Sequence, residues 1–581
     1  MKKRQLIAVA MASAVAASSL AACGSSSGTT STTAAKAAET KAAETQAAAG
    51  SSTEAVKEAV PCTGFDSLPD SDYVDGEKDG QTYPISQEKI TMKMWYPFGS
   101  SMAELADYND SEFWQWYEEK TNIHIEWIVP ATGTEKDSFQ LLFAGDMPDM
   151  VWANPVSYGT YRDGEDASIE DGYFINMADY LQYAPNYVSW LKNHENFGRA
   201  AFTDSGKMSG LWGTWKSLSD EVYADQGIAI RKDFLDKVGK EVPTTYAEWE
   251  DVLTAFRDEL HIEAPYYTSK YGIDYGEFMA GYGVAPYFYQ VDGTVKYGPL
   301  EDGYKDYLTM MNRWWSEGLL DKDFATRQTS GIMADNDMQL NDKVGSLIDY
   351  GTRMGDAYVS RGATNPDVWY VGCPQPKLSA DAADPAWRQY QNGMDHFIGT
   401  VINISADCPY IEEAIRWVDG LYAVDNYLNA NYGIESEEGT TWYKADDGHR
   451  IGDYDFRYHN PNGLSSGTVA VKYWAKNPPV RVEAMQFEQN SETVQNAYKT
   501  WSQYEPKNYI SPRTTMTTEE GTEYASKYTD IETYVQECNV KFIMGQMSLD
   551  DYDSYRETLK SMGIERCIEL QQAAYDRYSS R

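Results

Sequence analysis

Aromatic and acidic side chains are the most numerous residues of this sequence that could do chemistry. The 581 residues include 17 Trp, 45 Tyr and 89 Asp and Glu. Aromatic faces stack on the apolar faces of pyranose rings, while carboxylates and amides bind hydroxyl groups. The composition therefore favours a sugar-binding site, although most of the aromatic residues are expected in the core.

Carboxylates could also serve as the acid and base of a glycoside hydrolase, which needs one suitably spaced pair. No acid stands in a recognisable catalytic motif, and no H-E-x-x-H helix is present. The segment Asp204–Met208 resembles a phosphate loop only superficially, because Met208 replaces the required Ser or Thr. The sequence therefore predicts a binding protein without catalytic residues or cofactor, with a glycoside hydrolase as the less favoured alternative.

Charge and cysteine usage exclude other classes of protein. The formal net charge is −40, which makes nucleic acid a poor partner because phosphate binding needs clustered Lys and Arg. Beyond Cys23, five widely separated cysteines form no C-x-x-C motif, so neither a zinc ribbon nor a disulfide scaffold is predicted.

The first 23 residues resemble the export signal of a bacterial lipoprotein. Lys2, Lys3 and Arg4 precede an uncharged apolar stretch, which ends in Leu-Ala-Ala-Cys-Gly at 20–24. In a lipobox, the cysteine at this position is lipidated and becomes the new N-terminus. We therefore predict that Cys23 anchors the chain to the outer face of the cell membrane.

The next residues, 24–84, are interpreted as a low-complexity tether and linker. Gly24 to Val60 is nearly all Ala, Ser, Thr, Gly, Glu and Lys, which bury too little apolar surface to fold. About 500 residues remain from residue 85. A single hydrophobic core rarely includes so many residues, so two lobes are expected.

Sequence periodicity predicts an α/β fold. Strands are expected over 90–97, 124–129 and 150–153, with helices between them, and this alternation is typical of a largely parallel sheet. Ligands bind beyond the carboxyl ends of such strands. That places Trp95, Phe98 and Gly99 at a candidate edge, together with Asn154.

Helix signals continue in the second half of the chain. Thr245 and Glu248 match a capping box, and 304–317 is an amphipathic helix stopped by Gly318. Residues 344–351 read as a strand and turn. Further helices are predicted over 412–422, 531–544 and 550–562.

In its sequence motifs, the chain resembles family 1 extracellular solute-binding proteins, the receptors of carbohydrate-type ABC importers. It is most similar to their long Gram-positive lipoprotein subgroup. The segments that carry the resemblance follow the family's order. They are ITMKMWYPFG at 90–99, FWQWYEEKTNIHIEWIVP at 113–130, FAGDMPDMVWANP at 143–155, GIAIRKDFLDKVGKEVPTTYAEWEDVL at 227–253 and GIERCIELQQAAYDRY at 563–578.

The resemblance implies a two-lobed, periplasmic-binding-protein-like fold of type II with a ligand cleft between discontinuous lobes. The first lobe is expected over 85–222 and 372–407, and the second over 223–371 and 408–581. The implied partners are a carbohydrate, a transmembrane permease and, through the lipid anchor, the membrane, with the protein itself a monomer. A peptide ligand remains the alternative, and no Arg or Lys clamp for an acidic sugar can be located from sequence.

Many members of the subgroup carry a calcium loop after the helix that follows the Pro-Thr-Thr stretch. Here that region, 256–269, lacks the spaced oxygen ligands and the turn glycine, so no metal is predicted there.

The candidate ligand-binding residues share a place at a predicted strand end or in a cleft loop. They are Trp95, Phe98, Gly99, Asn154, Trp212, Trp215, Tyr275, Asp349, Tyr350, Asp395, His396 and Trp474.

Overall fold

The structure is a computed structural model. It describes residues 60–70, 79–98, 105–154, 159, 161, 164–216, 224–329, 332–387, 397–435, 442–451, 454–458, 464, 466–482, 490–504, 507–511 and 513–581. The predicted signal with Cys23 and the tether to residue 59 lie outside these ranges.

The strands and helices below are numbered in chain order. The strands are β1 Ile90–Trp95, β2 Ile123–Ile128, β3 Met150–Ala153, β4 Gly210–Lys216, β5 Gln226–Arg231, β6 Ala264–Tyr266, β7 Phe288–Val291, β8 Thr294–Tyr297, β9 Val344–Tyr350, β10 Tyr370–Gly372, β11 Phe397–Ile404, β12 Trp442–Ile451, β13 Tyr454–Tyr458 and β14 Val480–Val482. The helices are α1 Glu112–Thr121, α2 Glu135–Leu142, α3 Glu165–Glu170, α4 Pro185–Asn193, α5 Glu195–Ala201, α6 Lys232–Val238, α7 Tyr246–Asp258, α8 Asp302–Glu317, α9 Asn336–Leu340, α10 Ile411–Gly420, α11 Val424–Tyr432, α12 Ser466–Lys472, α13 Glu492–Ser502, α14 Thr518–Ile543, α15 Tyr552–Met562 and α16 Ile564–Ser579.

Local signals placed these elements well. The three predicted strands of the first β-α-β-α-β unit are confirmed as β1, β2 and β3. Thr245 caps α7 in a complete capping box with Glu248, and α8 ends at Gly318, whose φ of 73° is left-handed.

The first lobe is built on a six-stranded sheet in the order β14-β4-β11-β3-β1-β2. β1 runs parallel to β2 and β3, β14 runs parallel to β4, and β11 is antiparallel to both β3 and β4. The carboxyl ends of β1, β3, β4 and β14 therefore share one edge with the amino end of β11, which we call the first-lobe edge.

The second lobe is built on a four-stranded sheet in the order β10-β5-β9-β6. β5 is antiparallel to β9 and β10, and β6 is parallel to β9. The amino end of β5 therefore shares an edge with the carboxyl ends of β6, β9 and β10, which we call the second-lobe edge. Apolar clusters cover both faces of this sheet, with α6, α7, α8 and α14 on one face and α13 on the other.

The first lobe includes more of the chain than the sequence suggested. Cys62 lies in its core, and Gln81 donates a hydrogen bond to Asp419 Oδ2 at 2.7 Å, so folded structure begins well before residue 85. Residues 411–432 and 475–482, expected in the second lobe, pack in the first, because α10, α11 and β14 bury their apolar faces against its sheet.

The described cysteines beyond Cys23 are all buried, free thiols. Within the described ranges, no helix combines the length and the apolar character that a membrane span requires.

Candidate ligand-binding cleft

The connections between the lobes locate the cleft. The chain leaves the first lobe after β4, returns between β10 and β11, and leaves again between β14 and α13. The first two connections join the first-lobe edge to the second-lobe edge, so the cleft lies between these edges. A third crossing was expected near residue 407, but the chain from β11 to α10 stays in the first lobe, where Cys408 is buried.

Two tyrosines chosen from the sequence meet at the second-lobe edge. Tyr275 ends a short 3-10 helix, Ile273–Tyr275, and Tyr350 ends β9 as the register partner of Gln226 in β5. Burial, followed by the neighbouring Tyr350 and Glu277, raises the pKa of Tyr275, and its hydroxyl hydrogen-bonds the Gln226 side chain. Both half-buried phenols are therefore neutral at physiological pH and suited to bonding hydroxyl groups.

A buried polar pair lies beside Tyr275. Gln375, at the start of the second crossing segment, donates from Nε2 to Glu277 Oε2 at 2.5 Å. Both side chains are buried, and Gln375 Oε1 has no hydrogen-bond partner in the part of the chain that the structure describes. Gln375 therefore lies behind the second-lobe edge, where its amide fixes the Glu277 carboxylate.

Trp387 supplies an aromatic ring close to Tyr275. Its ring lies against Gly276, where an added Cβ would come within 2.0 Å of Trp387 Cζ3. Gly276 also has a φ of 82°, so both the backbone and the close approach require glycine. The half-buried Trp387 lies just before the segment that returns to the first lobe.

The tryptophans predicted as ligand contacts in the first lobe lie in its interior instead. Trp95 is 0% exposed and donates its indole N–H to Ser138 Oγ at 3.0 Å. Trp212 is 3% exposed, and the Arg513 guanidinium covers its ring at 3.9 Å. Trp474 is 5% exposed. These three positions are corrected to packing residues, because no broad face of their rings is open to a sugar.

Two further first-lobe candidates do lie at the edge. Phe98 is half-buried, with its ring edge-on to Tyr96 at 4.7 Å between centroids, and Asn154 is half-buried directly after β3. Gly99, Asp395, His396 and the side chain of Trp215 fall outside the described residues, and their assignment to the site stays a prediction.

Asp349 is corrected to a supporting residue. Its carboxylate is 0% exposed and accepts hydrogen bonds from Tyr358 Oη, from Gln339 Nε2 at 3.3 Å and from the Tyr350 amide at 2.9 Å. Burial raises its pKa. Asp349 therefore fixes the backbone of Tyr350 from within the lobe and does not face the cleft.

The residues that sequence analysis missed at the second-lobe edge are Asp225, Gln226, Glu277, Gln375 and Trp387. Sequence patterns point to the carboxyl ends of strands as binding positions, whereas β5 is antiparallel to β9 and brings its amino end to the cleft. For the loop that contains Glu277, the sequence offered one signal, the frequent tyrosines of residues 271–289.

The region predicted to lack calcium forms the end of α7 and strand β6, with Tyr266 buried. Among the described residues, no cluster of three or more His, Cys, Asp or Glu side chains is placed to hold a metal ion.

Comparison with known proteins agrees with this architecture, although no family model matches the chain. The chain is 21% identical over 570 residues to the fructooligosaccharide ABC transporter substrate-binding protein FusA of Streptococcus pneumoniae serotype 4, covering 91% of this chain and 97% of FusA. It is 22% identical over 339 residues to the polygalacturonan/rhamnogalacturonan-binding protein YtcQ of Bacillus subtilis, covering 56% of this chain and 62% of YtcQ.

Solved structures match over nearly their full length. An HMO-binding, ABC-transporter-associated solute-binding protein from Bifidobacterium longum infantis superposes with a TM-score of 0.68 at 18% identity, covering 85% of this chain and 99% of that one. FusA in complex with kestose superposes with a TM-score of 0.64 at 18% identity, covering 84% and 99%. The chain therefore has the fold of two-lobed solute-binding proteins, and its resemblance to the sugar receptors of ABC importers is confirmed.

Proposed function

We propose that this protein captures an oligosaccharide in the cleft between its lobes and delivers it to the permease of an ABC importer, without cleaving it. The observation that carries the proposal is the second-lobe edge. There, Tyr275, Tyr350 and Trp387 offer rings beside the amides of Gln226 and Gln375. Rings next to neutral hydrogen-bonding groups suit a sugar, which presents apolar faces and hydroxyls together.

The relatives support the oligosaccharide as the ligand class. Those whose names state a ligand bind fructooligosaccharides, or polygalacturonan and rhamnogalacturonan. The proposal does not require that this protein and its relatives bind the same sugar, because loops on a common two-lobed scaffold set the specificity.

A thermal-shift screen against monosaccharides, oligosaccharides and dipeptides tests the proposal. A sugar present at 100 times its dissociation constant should raise the stability of the folded state by about 2.7 kcal/mol. The same sugar should be recovered intact after prolonged incubation. Stabilisation by peptides alone would contradict the proposal, and so would steady hydrolysis of the bound sugar.

We also propose that the lobes close over the ligand by a hinge motion. A few crossing segments join the lobes, and such connections allow rigid-body rotation. Binding shifts this equilibrium only through tighter binding to the closed form. Small-angle scattering should show a smaller radius of gyration with saturating sugar, and an unchanged radius would count against closure.

Export and anchoring complete the proposal. The Leu-Ala-Ala-Cys sequence at 20–23 supports lipidation of Cys23 on the extracellular side of the cell membrane. Replacing Cys23 by Ala should release the exported protein from the membrane fraction. Retention of the Cys23→Ala protein on the membrane would contradict a lipid anchor.

A further inference from the structure

An open cavity lies at the second-lobe edge, directly after β9. It has a volume of about 370 Å³, and its lining includes residues 332–336 and Arg353. The Met333 amide donates to the Ile348 carbonyl at 2.8 Å, so the lining segment runs beside the last residues of β9. Arg353 ends the 3-10 turn Gly351–Arg353, which follows β9 without a gap. A cavity of this volume is large enough for one sugar unit.

Arg353 is shielded from solvent but donates no hydrogen bond to any described residue. Its side chain is 16% exposed, and its Nε lies 3.7 Å from Asp349 Oδ1, which is too long for a hydrogen bond. That carboxylate already accepts hydrogen bonds from Tyr358, Gln339 and the Tyr350 amide. The guanidinium therefore lines the cavity with five N–H donors that no described residue uses.

The other shielded arginines of the described residues all donate hydrogen bonds. Arg327, 17% exposed, donates from Nε to Asp321 Oδ2 at 2.8 Å. Arg556, also 17% exposed, donates from Nη2 to Asp302 Oδ1 at 2.7 Å. Arg361 lacks such a bond within the described ranges but is exposed, so water can accept from it. A shielded guanidinium without an acceptor is costly, and a ligand that supplies acceptors removes this cost.

An acceptor oxygen lines the same cavity. Asp335 Oδ2 accepts hydrogen bonds from Arg327 Nη1 and from Tyr267 Oη, both at 3.2 Å. Oδ1 accepts none from the described residues, and the side chain is 45% exposed. The cavity thus presents an unused donor group and an unused acceptor atom, which are the two partners that a sugar hydroxyl needs.

The charges around the cavity favour a neutral ligand. Asp335 lines the cavity and Asp349 lies beside Arg353, so two carboxyl groups adjoin one guanidinium. An anionic substituent would be repelled by Asp335, whereas a hydroxyl can donate to it. The half-buried Met333 adds an apolar surface for the carbon-bound hydrogens of a sugar ring.

We propose that this cavity is a subsite for one neutral sugar unit, whose hydroxyl groups accept hydrogen bonds from Arg353 and donate to Asp335. The inference rests on the proposed sugar-binding function and adds to it a requirement for chain length. Tyr350 neighbours Tyr275 and directly precedes the turn that ends in Arg353. A sugar bound at Tyr275 therefore needs at least one further unit to enter the cavity.

Isothermal titration with neutral oligosaccharides of increasing length tests the subsite. The probes are three series, namely 1-kestose to fructosylnystose, maltotriose to maltohexaose, and xylotriose to xylohexaose. In a series that binds, we expect the affinity to rise at least ten-fold at one added unit, which corresponds to about 1.4 kcal/mol. Units added beyond that step should change the affinity little.

Variants assign this step to the cavity. Arg353→Met removes the donors and should lower the affinity for the longer sugar at least ten-fold, while the shorter sugar keeps its affinity within two-fold. Asp335→Asn should reduce the same step. Arg353→Lys keeps a positive charge beside Asp349 and should keep the melting temperature without restoring the full step. Arg361→Met, which makes the same change at an exposed position, is the matched control and should alter neither affinity.

The results that overturn the subsite differ from those that overturn the proposed function. Equal losses of affinity for short and long sugars in Arg353→Met would show that Arg353 only supports the edge, and a binding series without a step would also refute the subsite. If no neutral series binds while another sugar stabilises the protein in the thermal-shift screen, the neutral subsite is refuted and the proposed function stands. If no sugar binds at all, the proposed function fails as well.

Discussion

The two edges that border the cleft use the same abundant residue types in different ways. At the first-lobe edge the aromatic rings pack under the surface, where Tyr96 contacts Phe98, Tyr108, Trp127 and Trp152. At the second-lobe edge, Tyr275, Tyr350 and Trp387 stay half-buried beside polar groups. The first lobe thus buries its aromatic rings beneath its edge, whereas the second lobe has aromatic rings near its surface beside acids and amides.

This difference teaches that aromatic content alone does not locate a sugar site. A ring buried on both faces contributes to stability, whereas a ring with one free face can contribute to affinity. The comparison predicts that substitutions in the first lobe chiefly change the free energy of unfolding, and that substitutions in the second lobe chiefly change ligand affinity.

The largest expected effect is Trp152→Ala in β3. The indole is 0% exposed, and its loss leaves a cavity in the first-lobe core that should cost about 3–5 kcal/mol of unfolding free energy. Urea unfolding measures this cost, and titration of the folded fraction should show nearly unchanged affinity. Trp369→Ala, at a ring 39% exposed in the second lobe, is the control and should cost far less. Equal costs would break the comparison.

A second effect, of up to about 4 kcal/mol, concerns the buried carboxylate of the first lobe. Burial raises the pKa of Asp419 from 3.8 to about 7, although donors from Gln81, Asn186 and Tyr187 partly offset this by favouring the anion. Because the folded state holds this proton more tightly than the unfolded state, the contribution of Asp419 to stability is largest below pH 4. It falls as the pH rises from about 4 to 7.

The comparison of wild type with Asp419→Asn measures this pH dependence. Asn cannot ionise, so the stability advantage of the wild type over the variant should shrink between pH 5 and pH 7 in urea unfolding. An advantage that grows over this range would show instead that the three donors keep Asp419 ionised in the folded protein.

The smallest of the three expected free-energy effects concerns ligand affinity. The double substitution Tyr275→Ala and Trp387→Ala should remove about 1–3 kcal/mol of stacking, which is roughly a 5- to 150-fold loss of affinity for the sugar found by the screen. Titration calorimetry measures it. Tyr271→Ala, at an exposed ring in the same part of the chain, is the matched control and should leave affinity unchanged. Normal binding by the double variant would remove the second-lobe edge from the site.

The candidate site was predictable only in part. Tyr275 and Tyr350 were predicted because Tyr275 follows Asp274 in a loop and Tyr350 ends a recognisable strand, and both lie at the second-lobe edge. Trp95 and Trp212 are buried instead, because a residue at or near the end of a strand can turn toward the core as easily as toward the cleft.

The sequence by itself determined the local elements, the export signal it predicts and the two-lobed fold class. These features depend on hydrophobic periodicity, on caps such as Thr245 with Glu248, and on short motifs, all of which act over a few residues. The tertiary structure alone decided that β5 brings its amino end to the cleft and that α10, α11 and β14 join the first lobe. Those outcomes depend on which distant apolar surfaces bury one another, and a single sequence does not reveal pairings between distant residues.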